Sequence, residues 1–204
     1  MKRNKTLFLL VVLIAATSGW LLYNRYRVVV PAVDINNSEV GWSGKSISDV
    51  HMGKIQLSKA ELKFQGDKLI GGMFEADMKS ITVTDIADTA DNRYFIEHIG
   101  NEDFFEVNKF PTAGFLITNV KSVDESTYEV TGMMKIKDKE NPATFTAKSE
   151  DTEKGRRIAA VVNIDRTLYG IEYGAEGKRG SEKDWFILND FVLNINIVCA
   201  KENS

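Results

Sequence analysis

Residues 188–199 read Leu-Asn-Asp-Phe-Val-Leu-Asn-Ile-Asn-Ile-Val-Cys. From Phe191 to Cys199 every second side chain is apolar, and asparagine or valine fills the positions between them. Successive side chains of a β-strand point to opposite faces of a sheet, so a repeat of two residues is typical of a strand. The segment therefore predicts a strand with one face on a core, and it places Cys199 on that face.

The same repeat recurs along most of the chain from Val28 onward. It is clear in residues 126–136 and 156–164 and weaker in residues 69–78. About eight strands are predicted in all, the others being residues 33–43, 53–64, 112–121 and 143–149. Eight antiparallel strands close most simply into a barrel, which leaves no exposed edge, although a two-sheet sandwich would show the same turns. The body is therefore predicted to be all-β.

Residues 88–107 break the two-residue repeat. Their apolar spacing predicts one or two helical turns across one end of the sheet, and Pro111 cannot continue a helix. We expect Phe104 and Phe105 to plug one end of the barrel and Asp103 to cap a short helix. Contact of this run with a ligand is the alternative.

The N-terminal segment carries a different signal. An uncharged, largely aliphatic run over residues 6–23 follows three basic residues, Lys2, Arg3 and Lys5. This pattern is typical of an export signal, and its length approaches the ~20 residues that cross a bilayer. Small residues before Gly19 allow cleavage, whereas the apolar continuation to Tyr23 favours a retained anchor. A buried N-terminal helix of the body is the third interpretation.

We therefore divide the chain into a signal peptide or signal anchor, residues 1–27, and a body, residues 28–204. Basic residues at the N-terminus favour its retention inside the cell, which places the body outside the cytoplasmic membrane. We expect it in the periplasm or cell envelope, anchored to the membrane through residues 6–23 if that segment is kept.

Charge and composition exclude several classes of function. The 204 residues have a net charge of −3, but residues 1–23 are basic, so the rest of the chain, residues 24–204, carries about −6. An acidic body argues against nucleic acid, whose phosphates require clustered Lys and Arg. One cysteine and two histidines argue against a Cys- or His-based metal site. The chain holds no Gly-x-Ser-x-Gly string and no phosphate-binding glycine loop, so we expect no catalytic residues and no cofactor.

A set of short strings, in this order and spacing, resembles the YceI-like family of exported bacterial lipid-binding proteins. The most specific is DFFEVNKFP at residues 103–111, preceded by His98-Ile99. The others are Val33-Asp34, SEVGWSG at 38–44, His51-Met52-Gly53, GGMFEADM at 71–78, YEVTG at 128–132, IDRTLYGI at 164–171 and DFVL at 190–193. The resemblance covers roughly residues 33–199.

This resemblance implies an eight-stranded, lipocalin-like barrel with an elongated apolar cavity. In such proteins the cavity takes a polyisoprenoid chain, such as a quinone tail, or another long-chain amphiphile. The chain departs from the family pattern at Met133 and at residues 138–141, which leaves the conformation of that turn, and any ligand contact it makes, open.

The interior-facing positions of the predicted strands are candidates for the cavity wall, and a packed core is the alternative for each. They are Phe64, Phe74, Met78, Phe115, Met134, Ile158, Val162 and Phe191. Aromatic and methionine side chains suit an alkyl ligand because they offer large, adaptable apolar surfaces.

A polar head group would need partners at the mouth of the barrel. Asp165, Arg166 and Tyr169 offer a carboxylate, a planar fork of donors and a hydroxyl, although an Asp–Arg pair that fixes a loop is equally consistent. His51 and His98 are further candidates, with a structural role as the alternative.

Three functions remain open at this point. The first is non-catalytic binding, storage or transport of an isoprenoid lipid in the cell envelope. The second is an interaction or structural module whose barrel is filled by side chains. The third is an envelope enzyme that acts on a lipid head group. The sequence does not decide between a monomer and a homodimer.

Overall fold

The computed structural model describes Thr17, Trp20, Tyr23 and residues 25–182 and 184–200. The predicted export segment, residues 6–23, therefore lies outside the described residues except for those three positions. Among the residues described, no helix is both long and apolar enough to cross a bilayer.

The described body consists of nine strands, one α-helix and two short 3₁₀ turns. The turns are Ile35–Asn37 and Arg166–Tyr169, and the helix, α1, is Thr89–Gly100. The strands are β1 Val28–Val29, β2 Glu39–Ser46, β3 Val50–Gln65, β4 Lys68–Val83, β5 Thr112–Ser122, β6 Thr127–Ile136, β7 Lys139–Thr152, β8 Gly155–Asp165 and β9 Ile187–Cys199.

The eight long strands form one closed antiparallel barrel. Each of β3 to β9 pairs with the strand that precedes it in the sequence, so β3 lies between β2 and β4. β9 also pairs with β2, and this last pairing closes the barrel. Closure pairs every long strand on both sides along part of its length, which removes free sheet edges. β1 adds only Val28 and Val29 beside the end of β3. The predicted all-β barrel with one short helix is confirmed.

Several predicted boundaries were wrong. Residues 33–38 are not strand: Val33 makes an isolated bridge to Cys199, and a 3₁₀ turn follows it. The cause is Asp34, whose carboxylate accepts hydrogen bonds from the backbone and side-chain amides of Asn37 and so competes with strand pairing.

The helix is longer than predicted and is capped elsewhere. α1 has 12 residues, and its N-cap is Asp88, whose carboxylate accepts the amides of Ala90 and Asp91. Asp103 caps no helix: it forms an ion pair with Arg179, from the connection between β8 and β9. Asp103 and Arg179 are distant in the sequence, so local residue spacing does not predict their ion pair.

The two ends of the barrel differ in how the strands are joined. At the hairpin end, which we define by residues 66–67, 123–126 and 153–154, strands are linked by short turns. At the loop end, defined by residues 46–50, 84–111 and 166–186, the connections are longer and include α1 and a 3₁₀ turn.

Arg156 helps to close the hairpin end. Its guanidinium lies over the ring of Phe64, 5.1 Å from the centroid, and donates to the Asp67 carbonyl and carboxylate at 3.1 and 2.9 Å. It also donates to Asp151 at 3.1 Å. A planar fork with several donors can hold several segments together in this way, so Arg156 of β8 ties the turn between β3 and β4 to β7.

Candidate ligand-binding cavity

The barrel encloses a cavity of about 380 Å³ with an almost wholly apolar wall. β9 contributes alternate side chains along its length, Phe191, Leu193, Ile195 and Ile197. At ~3.4 Å per residue, these four positions extend about 20 Å along the strand. Leu62, at the hairpin end, belongs to the same wall. The cavity is therefore elongated and runs from the hairpin end towards the loop end.

The structure divides the predicted wall residues into two groups. Phe74, Met78, Phe115, Met134, Ile158 and Phe191 line the cavity. Phe64 and Val162 are buried in the surrounding core cluster and are not part of its wall. Alternation in a strand shows which side chains face the interior of a barrel, but not whether the space in front of them is open or filled.

Aromatic and histidine rings cover the loop end. Phe95 of α1 lies 4.4 Å from the ring of His51, measured between centroids. The ring of His98 lies 5.1 Å from Phe104 and 5.0 Å from Tyr173, both with edge-to-face geometry. All five rings line the cavity, so α1 and the β8–β9 connection together form its cover.

Both predicted histidines thus lie at the loop end, but each is held by protein contacts. Nδ1 of His51 is 2.8 Å from a carboxylate oxygen of Asp85, whose other oxygen accepts the amide of Met52 at 2.8 Å. Burial raises the pKa of Asp85, yet these hydrogen bonds outweigh it and lower the pKa overall. Burial, together with the nearby positive charge of Arg179, lowers the pKa of His98.

The predicted group Asp165, Arg166 and Tyr169 serves mainly to fix the loop. Asp165 caps the second 3₁₀ turn by accepting the amide and hydroxyl of Thr167 at 2.9 and 2.6 Å. Tyr169 is 3% exposed and does not line the cavity, and burial raises the pKa of its hydroxyl. Only Arg166 of the three reaches the cavity wall.

Arg166 is a buried cation that forms an ion pair with no carboxylate among the described residues. It is 4% exposed, and its guanidinium donates to four backbone carbonyls, those of Ile171, Tyr173, Ile187 and Leu188, at 2.8–3.0 Å. Burial lowers its pKa. These bonds join the β8–β9 connection to the start of β9 and so fix one side of the mouth.

Sequence reasoning missed several residues of the mouth. Lys45, Asp49, Tyr173, Trp185 and Asp190 line the cavity at or beside the loop end. Most of them lie in turns or at strand ends, where the two-residue repeat gives no direction for a side chain. An aromatic residue in a long polar connection, such as Trp185, was the one available signal.

Metal and thiol chemistry find no support in the part of the chain that the structure describes. It contains no group of three or more His, Cys, Asp or Glu side chains placed to hold a metal ion. Cys199 is fully buried, and desolvation raises its pKa to about 11, so the thiolate needed for nucleophilic chemistry is disfavoured.

A closed antiparallel barrel with room for one small ligand is the architecture of lipocalin-type binding proteins. The fold and the cavity therefore define a binding protein. The particular family follows from comparison: residues 32–199 match the YceI-like domain, and the chain belongs to that family.

Individual relatives agree with this assignment. The chain is 36% identical over 85 residues to a UPF0312 protein of Pseudomonas putida (strain W619), and that match covers 40% of this chain and 43% of the relative. A UPF0312 protein of Pseudomonas savastanoi pv. phaseolicola (strain 1448A / Race 6) gives the same identity and coverage. The matched region thus spans less than half the length of these curated relatives.

A solved structure supports the fold. BcnA from Burkholderia cenocepacia superimposes with a TM-score of 0.69 over 83% of this chain and 100% of that one, at 18% sequence identity.

Proposed function

We propose that the protein binds the apolar chain of an isoprenoid lipid, a quinone tail or a similar long amphiphile, and does so without catalysis. The observation that carries this proposal is the apolar volume of about 380 Å³ that the interior side chains leave open. A volume of this size falls within the ~300–1,000 Å³ of typical small-molecule sites. A filled structural barrel would not leave such a space.

The energetics suit a chain with many methylene and methyl groups. Each buried CH₂ contributes about 0.8 kcal/mol, so one five-carbon isoprene unit gives roughly 3–4 kcal/mol before costs. Ordering a flexible chain offsets much of this gain, and large ligands retain only about 0.3 kcal/mol per atom. Tight binding in an apolar tunnel therefore requires a long chain rather than a short one.

We further propose that the protein works as a carrier or store on the outer side of the cytoplasmic membrane. Support comes from the sequence of residues 1–23, in which three basic residues precede an uncharged apolar run. An uncleaved segment would tether the barrel close to the bilayer in which such lipids reside.

The direct test is to purify the full chain without detergent and to identify bound molecules by native mass spectrometry and lipid extraction. We expect a co-purified long-chain amphiphile, or saturable binding of an isoprenoid quinone added to the empty protein. Recovery of no amphiphile together with no binding of quinones would refute the proposal.

Two neighbouring alanines of β8 provide a matched pair of variants. Ala160 lines the cavity, whereas Ala159 is on the opposite face of the strand. Ala160→Phe fills part of the cavity and should weaken quinone binding by about ten-fold or more, while Ala159→Phe should leave it unchanged. Equal effects of the two substitutions would show that the ligand does not occupy the barrel.

A further inference from the structure

We propose that the barrel is oriented with its hairpin end towards the bilayer, so that the mouth at the loop end opens away from the membrane that holds the chain. This inference rests on the tether of the proposed function, in which residues 6–23 are kept as an anchor. It follows from the path of the chain into the barrel, the position of the opening and the distribution of charge.

The chain enters the barrel at the hairpin end. β1 is antiparallel to β3, and Val28 pairs with Gln65, the last residue of β3 before the hairpin turn. The residues just before β1 lie beside that turn: the Tyr26 carbonyl accepts from the side-chain amide of Gln65 at 3.2 Å. A methyl group on Gly66 would come within 3.6 Å of the Arg25 carbonyl oxygen. Because β1 runs from the hairpin end into the wall, the chain that precedes it leads away from the barrel at this end.

The connection between the apolar run and β1 is short. It consists of residues 24–27, and four residues span at most about 14 Å when fully extended. β3, with 16 residues, is about 50 Å long, and a strand tilt of about 40° leaves about 40 Å along the barrel axis. The linker is therefore too short for the barrel to turn over and bring its loop end to the bilayer that holds residues 6–23.

The cavity opens at the opposite end from this attachment. At the hairpin end its wall is made of buried side chains, such as those of Leu62, Val130 and Ile197. Four of the described wall residues are exposed, and all of them lie at or beside the loop end: Lys45, Asp49, Leu188 and Asp190. A ligand therefore enters and leaves at the end that is farther from the tether.

The distribution of charge favours the same orientation. Both ends expose apolar side chains, for example Val123 at the hairpin end and Ile47 at the loop end, so apolar exposure alone does not select one. The loop end contains twelve acidic and six basic residues, a net of −6, whereas the hairpin end together with residues 25–27 contains four acidic and three basic residues, a net of −1. Anionic lipids repel the more acidic surface once it comes within about a Debye length, ~8 Å at physiological salt.

The main test places one fluorophore at each end of the full chain. Glu125, in the β5–β6 turn of the hairpin end, and Glu176, in the β8–β9 connection of the loop end, are both exposed. Glu125→Cys and Glu176→Cys therefore make the same change of charge at comparable sites. Cys199 is buried and has a pKa raised to about 11, so it does not compete for a thiol-reactive label.

Each labelled chain is reconstituted into vesicles of phosphatidylcholine and phosphatidylglycerol that carry a nitroxide quencher on the lipid head group. We expect quenching at least about three-fold stronger for the label at position 125 than for the label at position 176, because the length of the barrel separates the two. Equal quenching, or stronger quenching at position 176, would overturn the orientation. A chain that does not float with the vesicles would overturn the tether and this inference with it, while the detergent-free lipid analysis decides ligand binding separately.

A longer tether tests the consequence for ligand exchange. About 40 Gly and Ser residues inserted between Arg27 and Val28 have a root-mean-square reach of about 35 Å, which lets the barrel turn and its mouth meet the host bilayer. Uptake of an isoprenoid quinone from that bilayer should then become about ten-fold faster. Quenching of Trp42 and Trp185, which line the cavity, reports the uptake in chains that carry Trp20→Phe.

The control is the same linker inserted before Lys2, on the other side of the apolar run, which leaves the tether short. We expect uptake in this control to equal that of the chain without a linker. If the long tether between residues 27 and 28 gave no faster uptake than the control, the orientation would not limit exchange and the inference would be contradicted. A chain that takes up no quinone from vesicles or from detergent-free solution would instead refute the proposed function.

Discussion

The hairpin end and the loop end of this barrel are built from the same strands but differ in packing. At the hairpin end, side chains such as Leu62, Tyr128, Val130 and Ile197 are each 1% exposed. At the loop end, the rings of His51, Phe95 and His98 are only half-buried. The opposite ends of each strand therefore have different surroundings.

This difference gives the two ends different roles: the hairpin end contributes mainly to the stability of the fold, and the loop end to the selection of a ligand. Tyr128 of the hairpin end lies outside the cavity wall and is closely packed, so its replacement leaves a space that the surroundings cannot easily fill. The half-buried rings of His51, Phe95 and His98 at the loop end face the cavity, so changes to them alter the shape and polarity of the mouth at a smaller cost. Function can thus be tuned at one end without loss of the fold.

The largest contrast is expected for two tyrosines. Tyr128→Ala, at the hairpin end, should lower the free energy of unfolding by about 3–5 kcal/mol, because it empties a fully packed position. Tyr94→Ala, on α1, where the side chain is 73% exposed, should change it by less than about 0.5 kcal/mol. Urea denaturation of both variants measures the difference, and similar losses would break the comparison of the two ends.

Two glycines with positive φ give the next contrast. Gly155, in the hairpin between β7 and β8, has φ of 139°, and an added methyl group would overlap the carbonyl oxygen of Cys199. Gly177, at the loop end, has φ of 71°, and a methyl group there meets no atom within 4 Å. We expect Gly155→Ala to cost about 2–4 kcal/mol and Gly177→Ala about 1 kcal/mol.

Gly155→Ala combines the steric overlap with a φ of 139° that is almost restricted to glycine, whereas Gly177→Ala meets only the milder left-handed conformation. The thermal midpoint and the urea midpoint should both fall further for Gly155→Ala. Equal shifts would indicate that the hairpin end can relax and is not as tightly packed as the accessibilities imply.

Arg166 is buried at the loop end and fixes the connection between β8 and β9. Arg166→Lys keeps the charge but cannot reach four carbonyls at once, so a loss of about 2–3 kcal/mol is expected. Arg179→Lys changes a residue that is 72% exposed in its side chain and should cost less than about 1 kcal/mol. Hydrogen exchange in residues 166–186 should rise only for Arg166→Lys, and protection equal to the wild type would show that these bonds do not hold the loop.

The strands were predictable from the sequence because burial of one face imposes a repeat that can be read directly. Phe191 and its neighbours in β9 show this repeat, as do residues 127–136 of β6. The start of β2 was not predictable in the same way, since the side chain of Asp34 forms a local turn that overrides the extended pattern.

The candidate site was only partly predictable, for a different reason. Interior positions of strands follow from alternation, which found Phe74, Met134 and others of the cavity wall. The mouth depends on contacts between distant segments, as when Asp103 meets Arg179 or when Arg166 binds carbonyls of β9. Such contacts follow from the closed fold, and no local repeat encodes them.

The smallest expected effect concerns the pH dependence of stability, which should come from the loop end. Burial and Arg179 hold the pKa of His98 below its ordinary value of 6.5, so the folded protein favours the neutral imidazole. The stabilisation is complete above that value and is lost as the pH falls through it, because the unfolded chain then binds the proton more readily.

His98→Phe keeps a ring beside Phe104 and Tyr173 but removes the titrating group. The thermal midpoint of the wild type should fall between about pH 7.5 and pH 5.5, and the fall should be smaller in the variant. Asp85 does not interfere, because its lowered pKa confines its contribution to pH values below its ordinary 3.8. Identical profiles would mean that the pKa of His98 is the same in the folded and the unfolded protein. The ring cluster over the mouth would then be more open than its distances imply, and the contrast between the two ends would be larger still.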